Sequence, residues 1–238
     1  ATSGAALPEV SPYYTPTSLW SQRRLRRTLE AVVDFDELAA LDGSAAPQLL
    51  VGTVDVNGGR FETFDAGEIS VDVMLASMAV PELFRAVRLD GHDGHDGGHA
   101  HWDGLFSQNP PIQELMVVPP ARKPDELWVL QINPQEREEV PRSLGAIADR
   151  RNELSGNLSL NQELRFVEQV NRWVEEGYLP EERFAHTAIH RIGLGRSFGV
   201  SSKLDRSPAF IDRLVALGEK RGRAFVDGHE HLAADADG

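Results

Sequence analysis

The sequence predicts an α/β layered domain. Short β-rich runs alternate with helix-length amphipathic stretches along the chain, and one apolar run, residues 126–133, has the composition of a parallel-sheet strand. Strands interleaved with helices in this way fit neither a helix bundle nor a β-sandwich. The chain has 238 residues, 41% of them hydrophobic, which is enough for one substantial core. No internal repeat interrupts it.

The elements follow in order. Ser11-Pro12-Tyr13-Tyr14-Thr15-Pro16 reads as an extended loop, because each proline fixes its own φ and keeps the preceding residue out of the α region. Thr17 or Ser18 is placed to cap a helix carrying Arg23 to Val33, and a short second helix is expected over 36–41. The β-rich runs 48–56 and 60–64 flank Asn57-Gly58-Gly59, a hairpin signal because Asn-Gly turns want positive φ at both positions. Residues 73–84 read as a short buried helix ended by Pro81.

Further along, 126–133 reads as a strand buried on both faces. Residues 142–176 form a long amphipathic helix, with Leu144, Ile147, Leu154, Leu158, Leu160, Leu164, Val167, Val170 and Val174 at three- and four-residue spacing, and a break expected near Gly156-Asn157. A late strand is expected over 185–194 and a last helix over 208–225. One domain is drawn over residues 1–226, and 227–238, poor in apolar side chains, reads as a frayed, disordered tail.

Charge and composition exclude several classes. A formal net charge of -13 opposes non-specific nucleic-acid binding, which needs a basic face to displace counterions, so no nucleic-acid partner is expected. Arg23, Arg24, Arg26 and Arg27 form the one basic cluster; it reads as a solvated helix face, with contact to anionic lipid, a peripheral membrane contact, as the alternative. With no cysteine there are no disulfides, no thiol catalysis and no Cys-ligated zinc, in keeping with a cytoplasmic location. No run of about 18 apolar residues is present, so no transmembrane helix is expected.

The segment with the most chemistry in it is His101-Trp102-Asp103-Gly104-Leu105-Phe106, followed by Ser107-Gln108-Asn109-Pro110-Pro111. Aspartate tolerates a sharp turn, Gly104 removes a Cβ that could block a neighbour, and the prolines give helix-entry geometry. Asn109 is placed either to brace the Asp103 loop or to cap the next helix. Trp102 and Phe106 are candidates for an apolar wall that desolvates Asp103.

Ala76-Ser77-Met78-Ala79-Val80-Pro81, followed by Asp103-Gly104-Leu105 and Asn109-Pro110, resembles the A-S-x-A-x-P and D-G-G/A-x-x-x-N-x-P segments of patatin-like phospholipases. The likeness reads from about Leu7 to Ala224 and includes Arg151 to Leu164 and Asp205 to Phe210; Leu105 stands where the family most often has Gly or Ala. The resemblance implies a three-layer αβα fold, a modified α/β-hydrolase, here lacking its N-terminal strands, with the remaining N-terminal part of the same fold expected as its partner. It implies a lipid acyl hydrolase acting on a lipid or ester substrate through a Ser-Asp dyad, with Asp103 as general base, Gly104 and Asn109 supporting its loop, and no cofactor. No G-x-S-x-G elbow is present, so the nucleophile is expected upstream. Ser3, in Ala1-Thr2-Ser3-Gly4-Ala5, is the candidate within the chain; it lacks both elbow glycines and has Pro8 where the elbow helix would run, and reads better as a linker serine. The alternative is a non-catalytic scaffold that binds lipid or a partner.

His92-Asp93-Gly94-His95-Asp96-Gly97-Gly98-His99-Ala100-His101 alternates two ligand types and could hold zinc or nickel. Its glycines favour a flexible hairpin insertion, a mobile surface loop, with no metal. His186, His190, His229 and His231 read as core or surface histidines.

Overall fold

A computed structural model of the chain describes residues 10–41, 47–81, 83–89, 98–119, 122–196, 198, 202 and 205–236. It is mixed α/β, with sheets and helices. The chain divides into two compact units, one within Leu7–Leu115 and one within Met116–Gly238.

The first unit opens with α1 (Pro16–Val32) and α2 (Phe35–Ala39). Helix α1 starts earlier than its apolar spacing suggested, because Pro16 occupies the first turn, where a missing N–H costs nothing. Its N-cap is therefore Thr15, not Thr17 or Ser18; Ser18 is buried inside the helix. Asp34 caps α2, accepting from the N–H groups of Asp36 and Glu37.

Strands β1 (Leu50–Asp55) and β2 (Phe61–Asp65) form the expected antiparallel hairpin, with Val54 opposite Phe61. Its turn differs from a two-residue Asn-Gly turn. Asp55 collects the N–H groups of Asn57 (2.8 Å) and Gly58 (2.9 Å), and the left-handed position is Gly59, φ 66°, whereas neither Asn57 nor Gly58 has positive φ. A carboxylate that gathers successive amides replaces the doubly left-handed turn.

Helix α3 (Val71–Ser77), capped by Ser70, ends four residues before Pro81, sooner than expected. Strands β3 (Val87–Leu89) and β4 (His99–Asp103) complete an antiparallel sheet of order β2-β1-β4-β3. The register places Val51, Thr53, Asp55, Glu62, Phe64, Val87, Leu89, His99 and His101 on one face. Its apolar part joins Ile69, Val73 and Ala76 in a core, with Phe35 and Leu38 of α2 packed against it. A short helix, α4 (Ile112–Met116), follows the sheet, and Ile112 is buried.

In the second unit β5 (Glu126–Gln131) pairs in parallel with β6 (Ala188–Gly193), from Glu126 opposite Ala188 to Gln131 opposite Gly193. The expected burial on both faces does not hold: Leu127 and Val129 are buried, but Trp128 is 47% and Leu130 74% exposed. Helix α5 (Leu144–Glu175) is unbroken at Gly156-Asn157, since the Asn157 amide turns onto the carbonyls of Asn133 (3.2 Å) and Pro134 (3.3 Å) instead of competing for its own helix. Its buried stripe is Asp149, Glu153, Asn157, Leu160, Leu164, Val167 and Asn171, while Leu144, Ile147, Leu154 and Leu158 are exposed. The early part of the helix is turned by ion pairs: Arg137 binds Glu153 (2.6 and 2.9 Å) and Asp149 (2.6 Å), and Arg150 binds Glu153 (3.1 Å). Helix α6 (Pro208–Ala236) continues past residue 226, and its Phe225 meets Trp128 and His190 edge to face. Among the described residues no helix is long and apolar enough to cross a membrane.

Candidate active site

Asp103 is the last residue of β4, opposite Thr53 of β1. Its backbone N–H donates to the carbonyl of Ala79 (3.2 Å), which brings together the two motif segments, 76–81 and 103–110. The chain then turns into a 3-10 helix, Gly104–Phe106, capped by the Asp103 carboxylate, which accepts from the Leu105 N–H (2.9 Å).

Gly104 is required here by distance, not by dihedral angle. A Cβ on it would stand 2.9 Å from the Gly52 carbonyl oxygen and 3.0 Å from the carbon. A Cβ on Gly52 would stand 2.6 Å from the Phe61 ring. Two backbones and one aromatic ring therefore meet where β4 turns, and this contact fixes where Asp103 sits.

Burial pushes the Asp103 carboxyl above the usual range, and the Leu105 N–H only partly offsets it. Trp102 is half-buried, but Phe106 is 46% exposed, so the second half of the expected apolar wall is not there. A carboxyl that has lost water and keeps one oxygen off the Leu105 amide is a stronger base than an aspartate in water.

Beside it lies a polar row that sequence reading missed. His101, fully buried, shares a hydrogen bond between Nδ1 and Thr53 Oγ1 (2.9 Å), and its Nε2 lies 3.7 Å from Glu62 Oε2. Burial lowers the His101 pKa; Glu62 and Asp55 oppose this, and His99 reinforces it. His99 Nδ1 meets Asp55 Oδ2 at 2.7 Å. Burial alone would raise the Asp55 carboxyl, but the Gly58 N–H, the His99 ring and the Asn57 N–H hold it down at about 2. The two histidines therefore belong to the sheet, and for them the mobile surface loop is corrected: an interior strand orders them. His92 and His95 lie outside the described residues. Among the described residues no three His, Asp or Glu side chains are grouped to hold a metal ion.

The signal for this row was present as a period of two: His99, His101 and Asp103 along one strand, Thr53 and Asp55 along another. Polar alternation is ordinarily read as the solvent face, and here it is the inner one.

Of the other candidates, Asn109 is partly buried in the segment between the 3-10 helix and α4. Ser3 lies outside the described residues. His190 packs against Trp128 and Phe225, and His186 is 3.3 Å from Glu175. A cavity of about 830 Å³ lies past the carboxyl ends of β5 and β6, lined in part by Asn133, Arg137, Gly193 and Arg196, and it contains none of the sequence-predicted site residues.

The family model described as Patatin-like phospholipase matches residues 3–116. The matched segment nearly coincides with the compact unit Leu7–Leu115. The match begins at Ser3 and stops at Met116, so it carries the likeness through Asp103 and Asn109 but not on to Ala224. No curated protein matches the chain.

Proposed function

We propose that this chain is the Asp-bearing part of a serine lipid acyl hydrolase of the phospholipase A or esterase type, built on a three-layer αβα scaffold, with Asp103 as the general base. The observation that carries this reading is the Asp103 carboxyl itself, partly desolvated, capped on one side by the Leu105 N–H, and located in a turn whose sequence resembles the aspartate motif of the family whose model spans it.

In this mechanism a serine hydroxyl attacks the ester carbonyl while its proton passes to the Asp103 carboxylate; collapse of the tetrahedral adduct expels the alcohol, which takes that proton, and leaves an acyl-serine. Water then attacks the acyl group, Asp103 takes the water's proton, and the fatty acid leaves as the serine is re-protonated. The serine is expected ahead of residue 1, with Ser3 as the candidate inside the family match. Backbone N–H donors for the oxyanion are expected in the same upstream part.

The test is ester hydrolysis by the full-length protein with Asp103→Asn, followed alongside circular dichroism. Asparagine keeps the shape and can still accept from the Leu105 N–H, but it cannot take the proton. The expected result is a folded variant with turnover reduced by two orders of magnitude or more, on the scale of general-base loss at about 10²–10⁴. Near-wild-type turnover in a folded variant removes Asp103 from the chemistry. Turnover by the 238-residue chain alone, abolished by Ser3→Ala, places the nucleophile at Ser3. Lipid binding by full-length protein with no turnover favours the non-catalytic scaffold.

A further inference from the structure

Among the described residues, helix α1 has one face tied to the rest of its unit and one that is not. On the inner face, Ser18 is buried, the Gln22 amide donates to the Arg85 carbonyl (2.7 Å), and the Arg26 guanidinium pairs with Asp72 of α3. At 100° per residue the opposite side of the helix carries Pro16, Trp20, Arg23, Arg24, Arg27 and Ala31. No carboxylate falls on that stripe. The nearest one, Glu30, lies at its edge and is 3.7 Å from Arg26.

Trp20 is 61% exposed. The Arg24 guanidinium lies over its ring, Cζ 5.6 Å from the centroid. Arg23, Arg24 and Arg27 are exposed, and among the described residues none is paired with an acid. Tyr14, 83% exposed, stands just before the helix. Three cations around one outward tryptophan, within about 10 Å of helix at 1.5 Å per residue, are the complement of an anionic interface. The indole enters the headgroup layer while the guanidiniums bind phosphates.

We propose that the outer face of α1 docks the protein onto a lipid bilayer rich in anionic headgroups, with the helix lying in the interface plane. An acidic peptide would satisfy the arginines, but it offers nothing to an isolated, outward-facing indole. The net charge of -13 does not oppose the contact at close range, because the Debye length of about 8 Å at physiological salt screens the distant acids from the helix face. The inference extends the lipid hydrolase reading by supplying a way to reach a membrane, yet it rests on α1 and not on Asp103.

The experiment is co-sedimentation of the whole chain with vesicles of phosphatidylcholine alone and of phosphatidylcholine with phosphatidylglycerol, at low and high salt. Binding is expected only to the anionic vesicles, weakening as salt rises. The triple variant Arg23→Gln, Arg24→Gln, Arg27→Gln should bind about a hundredfold more weakly at low salt, given the usual contribution of a basic residue near such a surface. Trp20→Ala should weaken binding at both salt concentrations. A control triple, Arg151→Gln, Arg165→Gln, Arg183→Gln, removes the same charge from exposed positions elsewhere and should bind as wild type, with circular dichroism confirming the fold of each. Equal binding to neutral vesicles, equal loss in both triples, no vesicle binding at all, or capture of a polyglutamate peptide in place of vesicles each overturns the proposal. Asp103→Asn should bind vesicles unchanged, so failure of the hydrolase reading and failure of this one give different results.

Discussion

The Asp103 N–H donates to the Ala79 carbonyl at 3.2 Å, so two residues with 23 others between them in the chain share one backbone hydrogen bond. Residues 76–81 meet Asp103 at its main chain. They anchor the strand end from which Asp103 projects, and a motif that is discontinuous in sequence becomes one structural object.

Two glycines with different neighbours make this testable. Gly104→Ala drives a Cβ into the Gly52 backbone, which has no rotamer to change, and destabilisation of about 1–3 kcal/mol is expected. Gly52→Ala clashes with the Phe61 ring and meets the Gln108 carbonyl only at an ordinary 3.8 Å. Adding Phe61→Leu should therefore relieve Gly52→Ala and leave the larger part of the Gly104→Ala loss in place. Urea midpoints of the single and double variants measure this; equal rescue of both means the backbone contact is not what confines Gly104.

His101 sets an acid limit on the first unit. Its pKa in the fold is lowered from 6.5, so below that pH the unfolded chain takes a proton that the fold resists. Stability from this group is complete above about 6.5 and is lost as pH falls towards the folded value, with a slope of at most about 1.4 kcal/mol per pH unit. In His101→Gln the dependence of Tm on pH between about 7 and 5 should flatten. An unchanged slope assigns the titration to another group.

The ion pairs of the second unit should behave in the opposite way to surface bridges. Arg137 joins Asp149 and Glu153, both buried, so Arg137→Ala takes the cation from Asp149, leaves Glu153 with Arg150, and should cost about 3 kcal/mol. Burial opposes ionisation of Glu153, but Arg137 and Arg150 hold its pKa below 4.5. The stabilisation is present above that pH and lost as pH falls through the folded value. The gap between wild type and Arg137→Ala should therefore narrow as pH falls below about 4.5, as read by urea unfolding at each pH. A gap that stays constant shows that the charges are not its source.

How much of this was legible in the sequence depended on whether one residue type had one meaning. The hairpin was legible because alternating apolar residues flank Asn57-Gly58-Gly59, and the parallel pairing of 126–131 because its composition is that of a sheet interior. Burial of α5 was misread because Leu144, Ile147, Leu154 and Leu158 have the period of a core stripe, while the helix is turned by Asp149 and Glu153, whose partner Arg137 lies in the preceding loop. The position of Asp103 was legible as a turn after a strand. Its neighbours His101, Thr53 and Glu62 were not, since nothing local tells a polar residue that it will face inward.

The contact between Gly52 and Gly104 has a consequence for how this turn responds to change elsewhere. Its depth is set by main chain touching main chain, a distance that no side-chain substitution in the surrounding core can alter by itself. Residues such as Ile69 or Val73 can be exchanged and repacked while the strand end stays in place. The position of Asp103 is thereby insulated from drift in the rest of the interior, and the constraint is concentrated at Gly104, against main chain, and at Gly52 for as long as Phe61 stands beside it.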